Sequence, residues 1–309
     1  MCSFIYFLLR SASYYPGLTQ FKENQVSFIS EKQDVVAPVS TELPQHEYEI
    51  MYRAEEEFWW YVGMRRQLLT ILEKHWDWQN QPNPLVVDAG CGTGAVLQRL
   101  ADGFGGQINT RRALGFDLSQ EALRFCSRRG LQGRISRGSI TNIPLADQSV
   151  DIVVSFDVVC YLPDPEPSLY ELARILKHGG MLVLNLPAYQ FLHSEHDLAV
   201  NVLKRYTREQ ARQMMARHGL MPERTSYVNT VLFPPAAAVR LAKKAALKIK
   251  PGKKLQSELE LPHPIINRIL TGAMASEAVL LKRSNFNLPF GLSLMTVARK
   301  LYVTILKKC

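Results

Sequence analysis

The stretch LVVDAGCGTGAVLQRL, residues 85–100, concentrates residue types that bind a nucleoside. A buried strand delivers Asp88 to its C-terminal edge, and the glycines at 90, 92 and 94 let the backbone turn tightly against a ligand before a helix begins. The spacing Gly90-x-Gly92-x-x-Ala95 also satisfies the dinucleotide fingerprint, so the glycines alone do not separate nicotinamide enzymes from other nucleoside binders. Asp88 does: a carboxylate two residues before the first glycine repels a pyrophosphate and suits a ligand bearing a cationic amino group or a sulfonium. In GFDLS, residues 115–119, Asp117 is placed to accept hydrogen bonds from ribose hydroxyls and Leu118 to cover one face of an adenine. A plain helix-capping role for Asp117 is the competing reading.

A second group of chemically able residues lies in NLPAYQFLHSEHDLAVNVLKRYT, residues 185–207, which holds Tyr189, His193, His196 and Asp197. His196 beside Asp197 has the composition of a general base, which contributes about 10² to 10⁴-fold where an acceptor must lose a proton. The alternative, that these polar groups only fix the loop and cap the next helix, stays open, and for His193 it is preferred. His193-x-x-His196 lacks a third ligand, so no metal is expected. Phe58, Trp59, Trp60 and Tyr61, followed by Arg65 and Arg66, divide between a wall over the ligand and ordinary core packing.

The elements that must position these groups follow from hydrophobic periodicity. Helices are expected from Glu47 to about Phe58 and from Met64 to Trp76, with Pro82 and Pro84 ending that preamble. Short apolar runs then predict strands at Leu85–Ala89, Ala113–Asp117, Arg134–Gly138, Val150–Ser155 and Met181–Leu186. Between them fall helices at Ala95–Ala101, Gln120–Arg128 and Ser168–Leu176; a further helix spans Arg208–His218. An extended run, Arg224–Phe233, and a last strand, Leu292–Arg299, complete the count. The alternation predicts an α/β fold: a doubly wound, Rossmann-like seven-stranded sheet with helices on both faces, an N-terminal helical cap and a helical insertion before the last strand. The domain reading is a poorly ordered extension at 1–45, a catalytic domain at 46–233 plus 291–300, a basic amphipathic insertion at 234–290 and a tail at 301–309.

The chain resembles class I S-adenosylmethionine-dependent methyltransferases of the methyltransferase type 11 group. VVDAGCGTG, GFDLS, GSITNIPLADQSVDIVVSFDVVCYLPDP and LKHGGMLVLNLPA occur in that family's order. The resemblance implies S-adenosylmethionine as cofactor. Asp88, Gly90 and Gly92, with Cys91 and Gly94 in the same loop, would line its methionine end. Asp117 and Leu118 would hold the ribose and adenine, Ser139 and Ile140 would match the adenine-contacting position, and Ser155 and Phe156 the loop after the fourth strand. Ser139 stands where the family commonly has Asp, and Tyr161 where many relatives carry His. Tyr161, His196 and Asp197 are the candidate catalytic residues.

Composition bounds the partners. The chain has 309 residues, 47% hydrophobic, and a net charge of +9. From residue 231 onward there are 14 Lys and Arg against 3 acids, a net of +11, whereas the first 230 residues net −2. Five scattered cysteines without C-x-x-C pairing suit a reducing cytosol, and no apolar run is long enough for a membrane span. At 100° per residue the stretch 234–250 places Arg240, Lys243, Lys244, Lys248 and Lys250 on one arc and Val239, Leu241, Ala245 and Ile249 on the other. That pattern predicts peripheral contact with an anionic membrane through 234–254. SFDV after the fourth strand is not the Asn/Asp-Pro-Pro-aromatic motif of base methylation, which disfavours nucleic acid. The expected activity is methylation, on oxygen or carbon, of a small or lipid-linked acceptor by a cytoplasmic protein peripheral on the membrane face. The alternatives are a catalytically silent nucleoside-binding or membrane-docking protein of the same fold, and an RNA methyltransferase.

Overall fold

A computed structural model describes residues 45–194, 197, 201–249, 262–283 and 286–302. The extension expected at 1–45 lies outside the described residues except for Gln45, as do His196, Lys250 and most of the tail. Two helices, α1 (Gln45–Glu57) and α2 (Trp59–His75), precede β1 (Leu85–Ala89), α3 (Ala95–Ala101), β2 (Arg112–Asp117), α4 (Gln120–Arg128) and β3 (Ile135–Arg137). The second half runs β4 (Val150–Phe156), α5 (Glu166–Ile175), β5 (Leu176–Pro187), α6 (Arg208–Ala216), β6 (Leu220–Val228), α7 (Phe233–Ile249), α8 (Pro264–Arg283) and β7 (Ser293–Lys300).

The seven strands form one sheet in the order β3-β2-β1-β4-β5-β7-β6. β1 to β5 are parallel, and β7 runs antiparallel to both β5 and β6. The chain winds outward from β1 through β2 and β3, then returns to β4 on the other side. That reversal places a crevice beyond the carboxyl ends of β1 and β4, where ligands bind in such sheets. Alternation along each strand splits the core between two faces. Val86, Val154 and Val183 join Trp59, Trp60 and Leu68 on one, while Val87, Val153 and Leu184 join Leu172 and Met214 on the other.

Local chemistry explains the element starts. Ser119 accepts the Ala122 amide at 3.3 Å to open α4, and Thr207 with Gln210 forms a capping box that opens α6. β6 departs from expectation: it starts at Leu220, directly after the turn at Gly219, and ends at Val228 rather than running to Phe233. Its first residues, Leu220-Met221-Pro222, precede the expected strand, and pairing with β7 from Leu220 to Val228, with a register shift between Pro222 and Arg224, decides the register. α7 departs more. Arg240 is buried, whereas Val239 and Leu241 are 42% and 47% exposed, so the basic arc is not uniformly the solvent face.

Candidate functional site

β1 ends on Ala89 and the chain turns through the glycines into α3. The Gly90 and Cys91 amides both donate to the Phe116 carbonyl, at 2.9 and 3.0 Å, which ties the loop to the end of β2. Gly90 has φ +81°, and a Cβ there would lie 2.4 Å from Val158 Cγ2. Gly94, at φ +91°, would place a Cβ 2.8 Å from Cys126 Sγ. At these two positions both backbone conformation and space demand glycine.

Three carboxylates converge on this loop from separate elements. Asp88, at the end of β1, is only 3% exposed and its Oδ2 has no hydrogen-bond partner. Burial, reinforced by the negative charges of Glu55 and Asp117, pushes its carboxyl up to about 8. Glu55, on α1, is buried too; it accepts from the Thr93 hydroxyl and from Arg129 Nη2, and burial raises its carboxyl despite those partners. Asp117 accepts the Gly92 amide on Oδ2 and the Ser119 amide on Oδ1, each at 2.9 Å. Those bonds aim the carboxylate at the loop. A buried carboxylate with one unpartnered oxygen, flanked by two more acids, is a site for a cation.

α1 roofs the loop. A Cβ on Gly92 would sit 3.6 Å from Met51 Cε, and Tyr48, Met51 and Tyr52 pack with Ala122 and Phe125 of α4. Arg129 clamps this roof: Nε donates to the Thr93 carbonyl at 2.9 Å, Nη2 to the Tyr52 carbonyl at 3.0 Å, and the guanidinium lies 4.3 Å from the Tyr52 ring centre. Its Nη1 also reaches Glu56. Arg65 is buried, with Nη1 donating to the Glu55 carbonyl at 2.5 Å, so it holds the end of α1. The break between α1 and α2 is closed from far along the chain: Asn267 Oδ1 accepts the Trp59 amide at 2.9 Å and its Nδ2 donates to the Glu57 carbonyl at 2.8 Å. Phe58, Trp59 and Trp60 are core residues, and only Tyr61 of that aromatic group is half-buried. Cavities of about 630 and 190 Å³ flank α1 and α2, lined among others by Arg53, Arg99 and Arg128 and by Val62, Arg66 and Phe104; neither is lined by Asp88 or Asp117.

The remaining cofactor candidates divide. Leu118 stands 41% exposed at the end of β2 and Ile140 is buried after β3, a disposition suited to sandwiching a flat ring. The Ser139 hydroxyl pairs with the Thr141 hydroxyl at 2.8 Å, inside its own turn. Ser155 is buried and donates to the Ala89 carbonyl at 2.8 Å, so it joins β4 to β1 rather than facing a ligand, and Phe156 packs against the core. Asp157, one residue further, was not singled out from the sequence. It is buried at φ +56°, accepts Asn185 Nδ2 at 2.8 Å on Oδ1 and donates its amide to the Asn185 carbonyl at 3.0 Å. VVD, GFD and SFD each place an acid within one residue of the end of a parallel strand, and that recurrence was the available signal.

Beyond β5 the charges are arranged differently. Asp197 is fully buried; its Oδ1 accepts Arg205 Nη2 at 2.6 Å and Nε at 3.2 Å, and its Oδ2 accepts Arg240 Nη1 at 3.2 Å and the Ser194 amide at 2.8 Å. Burial alone would raise its carboxyl, but the two guanidiniums outweigh burial and hold it well below the usual carboxylate range. A carboxylate so held anchors the loop to α7 and is a poor proton acceptor, while His196, its expected partner in a general base, lies outside the described residues. Arg240 belongs to this anchor and not to a solvent-facing basic arc; it also donates to the Leu192 carbonyl at 2.6 Å, and burial brings its guanidinium down to about 9. His193 Nε2 lies 2.9 Å from the Val202 carbonyl, in keeping with a loop-fixing role. Tyr161 is half-buried in a 3₁₀ turn, Val159–Tyr161. Tyr189 stacks on Tyr227 at 4.8 Å and meets Phe233 at 5.5 Å, which in turn meets Phe290 at 5.5 Å, giving an aromatic wall past the end of β5. Among the described residues no group of three or more His, Cys, Asp or Glu could hold a metal.

The sequence model of a family described as Methyltransferase domain matches residues 87–184. A probable S-adenosylmethionine-dependent methyltransferase of Mycolicibacterium smegmatis is 32% identical over 102 residues, covering 33% of this chain and 37% of that protein. A phthiotriol/phenolphthiotriol dimycocerosates methyltransferase of Mycobacterium ulcerans is 27% identical over 151 residues, covering 48% and 53%. The chain thus spans between about a third and a half of these relatives. Among solved structures, a chain from the complex of the Haloferax volcanii Trm112 methyltransferase activator with a methyltransferase superposes with a TM-score of 0.51 at 20% identity, covering 84% of this chain and 97% of that one. That likeness concerns the fold.

Proposed function

We propose, from the class I S-adenosylmethionine-dependent methyltransferase domain that this chain carries, that the whole protein transfers a methyl group to oxygen or carbon of a small or lipid-linked acceptor. The carrying observation is Asp88: a buried carboxylate with an unpartnered oxygen beside a glycine loop fits the cationic methionine end of the cofactor and no phosphate. The cofactor, when bound, supplies an electrophilic methyl group on a sulfonium. Gly90 to Gly94 admit it to the backbone, Asp117 accepts from its ribose, Leu118 and Ile140 flank its base, and α1, clamped by Arg129, excludes water above it. Holding donor and acceptor in contact in such a dry site accounts for up to about 7 to 11 kcal/mol of rate acceleration.

The aromatic wall of Tyr189, Tyr227 and Phe233 supports an apolar acceptor, as does the M. ulcerans relative named for a dimycocerosate. Where the acceptor must lose a proton, the reading assigns that step to His196 or Tyr161, with Asp197 as anchor. The three buried free cysteines Cys91, Cys126 and Cys160 support a reducing cytoplasm, with peripheral contact on the membrane face. Calorimetric titration with S-adenosylmethionine, S-adenosylhomocysteine and NAD tests the donor: binding of the two sulfur nucleosides alone is expected, and binding of NAD alone overturns the reading. Transfer of labelled methyl into lipid extracts tests the acceptor, with His196→Ala and Tyr161→Phe expected to slow turnover at unchanged cofactor affinity.

A further inference from the structure

α8 is held rigidly on one side. Met274 packs into the space left by Gly63 of α2, where a Cβ would lie 2.4 Å from its sulfur. Glu277, buried, accepts the Asn229 and Val231 amides at 2.6 and 2.9 Å, and the Leu281 carbonyl accepts Lys74 and Arg224. These contacts fix the rotation of the helix, so its other side cannot turn inward. Yet that side is apolar: Ile265 and Ile269 are each 64% exposed, and Ile266, Val279 and Leu280 are exposed as well. At 100° per residue and with Ile269 at zero, these five fall between about −80° and +60°, with only Gly272, Ala273 and Ser276 between them. No charged residue lies on that arc from Ile265 to Leu280.

We infer that this face of α8, and not a basic arc of α7, is the surface by which the protein docks on an anionic lipid bilayer. The inference deepens the peripheral, lipid-linked reading above and rests on it. Charge selects the occupant. The segment from residue 231 carries a net +11, including Lys243, Lys244, Lys248, Lys250, Lys253 and Lys254 in the stretch leading to α8. A second copy carries the same net positive charge, whereas acidic headgroups neutralise it. Among the described residues no helix is long and apolar enough to cross a membrane, so the helix lies on the surface rather than through it. Its N-terminal end is where Asn267 braces the break between α1 and α2, which puts the docked surface beside the roof of the cofactor loop.

The test uses the full chain and its Ile265→Ser/Ile266→Ser/Ile269→Ser variant with phosphatidylglycerol-containing and pure phosphatidylcholine vesicles. Sedimentation of the parent with the anionic vesicles only, and a fall of about tenfold or more in the variant at unchanged melting temperature, is the expected result. Parent and variant sedimenting alike, or a parent that ignores anionic vesicles, overturns the inference. A parent dimer that the variant splits assigns the face to a second copy and overturns it also. Titration of the same samples with S-adenosylmethionine keeps the two readings apart: cofactor binding without vesicle binding refutes the docking surface alone, and vesicle binding without cofactor binding refutes the methyltransferase reading.

Discussion

The two acidic centres of the molecule, Asp88 at the end of β1 and Asp197 beyond β5, are equally buried and opposite in state. Asp197 accepts from Arg205, Arg240 and Ser194, so its charge is compensated within the chain. Asp88 has an unpartnered oxygen and faces two further acids. Nearness to a loop or to the sheet edge does not distinguish them. What marks a ligand site is a buried acid whose charge the protein itself does not compensate, so that it ionises only with a ligand, and a buried charge with partners marks an anchor.

Substitution at each centre breaks the comparison in opposite directions. Asp197→Ala leaves two arginines buried against each other, and we expect a loss of about 3–5 kcal/mol in stability by denaturant unfolding. A loss under 1 kcal/mol would dissolve the contrast. Asp88→Asn removes a repulsive charge, so the apo protein is expected to hold or gain stability at pH 8 while affinity for S-adenosylmethionine, by calorimetry, falls about 100-fold.

The pH dependence sharpens it further. A carboxyl raised from 3.8 to about 8 favours the protonated folded state, so its contribution is fully present at low pH and is lost as pH rises through about 8. Cation binding at Asp88 requires the ionised form and releases that proton. Cofactor affinity is therefore expected to rise by up to about tenfold per pH unit on approaching pH 8 and to flatten above it, with buffer-dependent binding heats reporting the proton. An affinity flat between pH 6 and 8 would mean that Asp88 is ionised in the apo protein. Asn267→Ala is the smallest change: losing the bond to the Trp59 amide should cost about 1 kcal/mol of stability and raise KM for the cofactor with little effect on kcat. Asn267→Asp, which keeps that acceptor, should restore most of it.

The strands from β1 to β4 and their helices were legible within one or two residues, because apolar runs of period two between capped amphipathic stretches leave little choice. β6 begins at Leu220 and ends at Val228 where Arg224–Phe233 was expected, because only pairing with β7 fixes its ends. Asp88, the glycines and Asp117 could be named because one contiguous strand, turn and helix supplies both their geometry and their chemistry. Ser155 could not be separated from a ligand group, since its acceptor is a carbonyl on another strand.

By itself, then, the sequence determined the alternation of strands and helices that implies a doubly wound sheet, the nucleoside loop and the preference for a cationic ligand, because each is written in the types and spacing of residues near in the chain. Tertiary structure decided which charges meet. Glu55 finds Arg129, Asp197 finds Arg240, and Asn267 reaches Trp59 across 208 positions. It also decided which side of each insertion helix faces inward. Helical periodicity orders residues around an axis, but only packing against α2 and the loop after β5 sets the rotation of that axis, and so buries Arg240 while leaving the isoleucines of α8 in water.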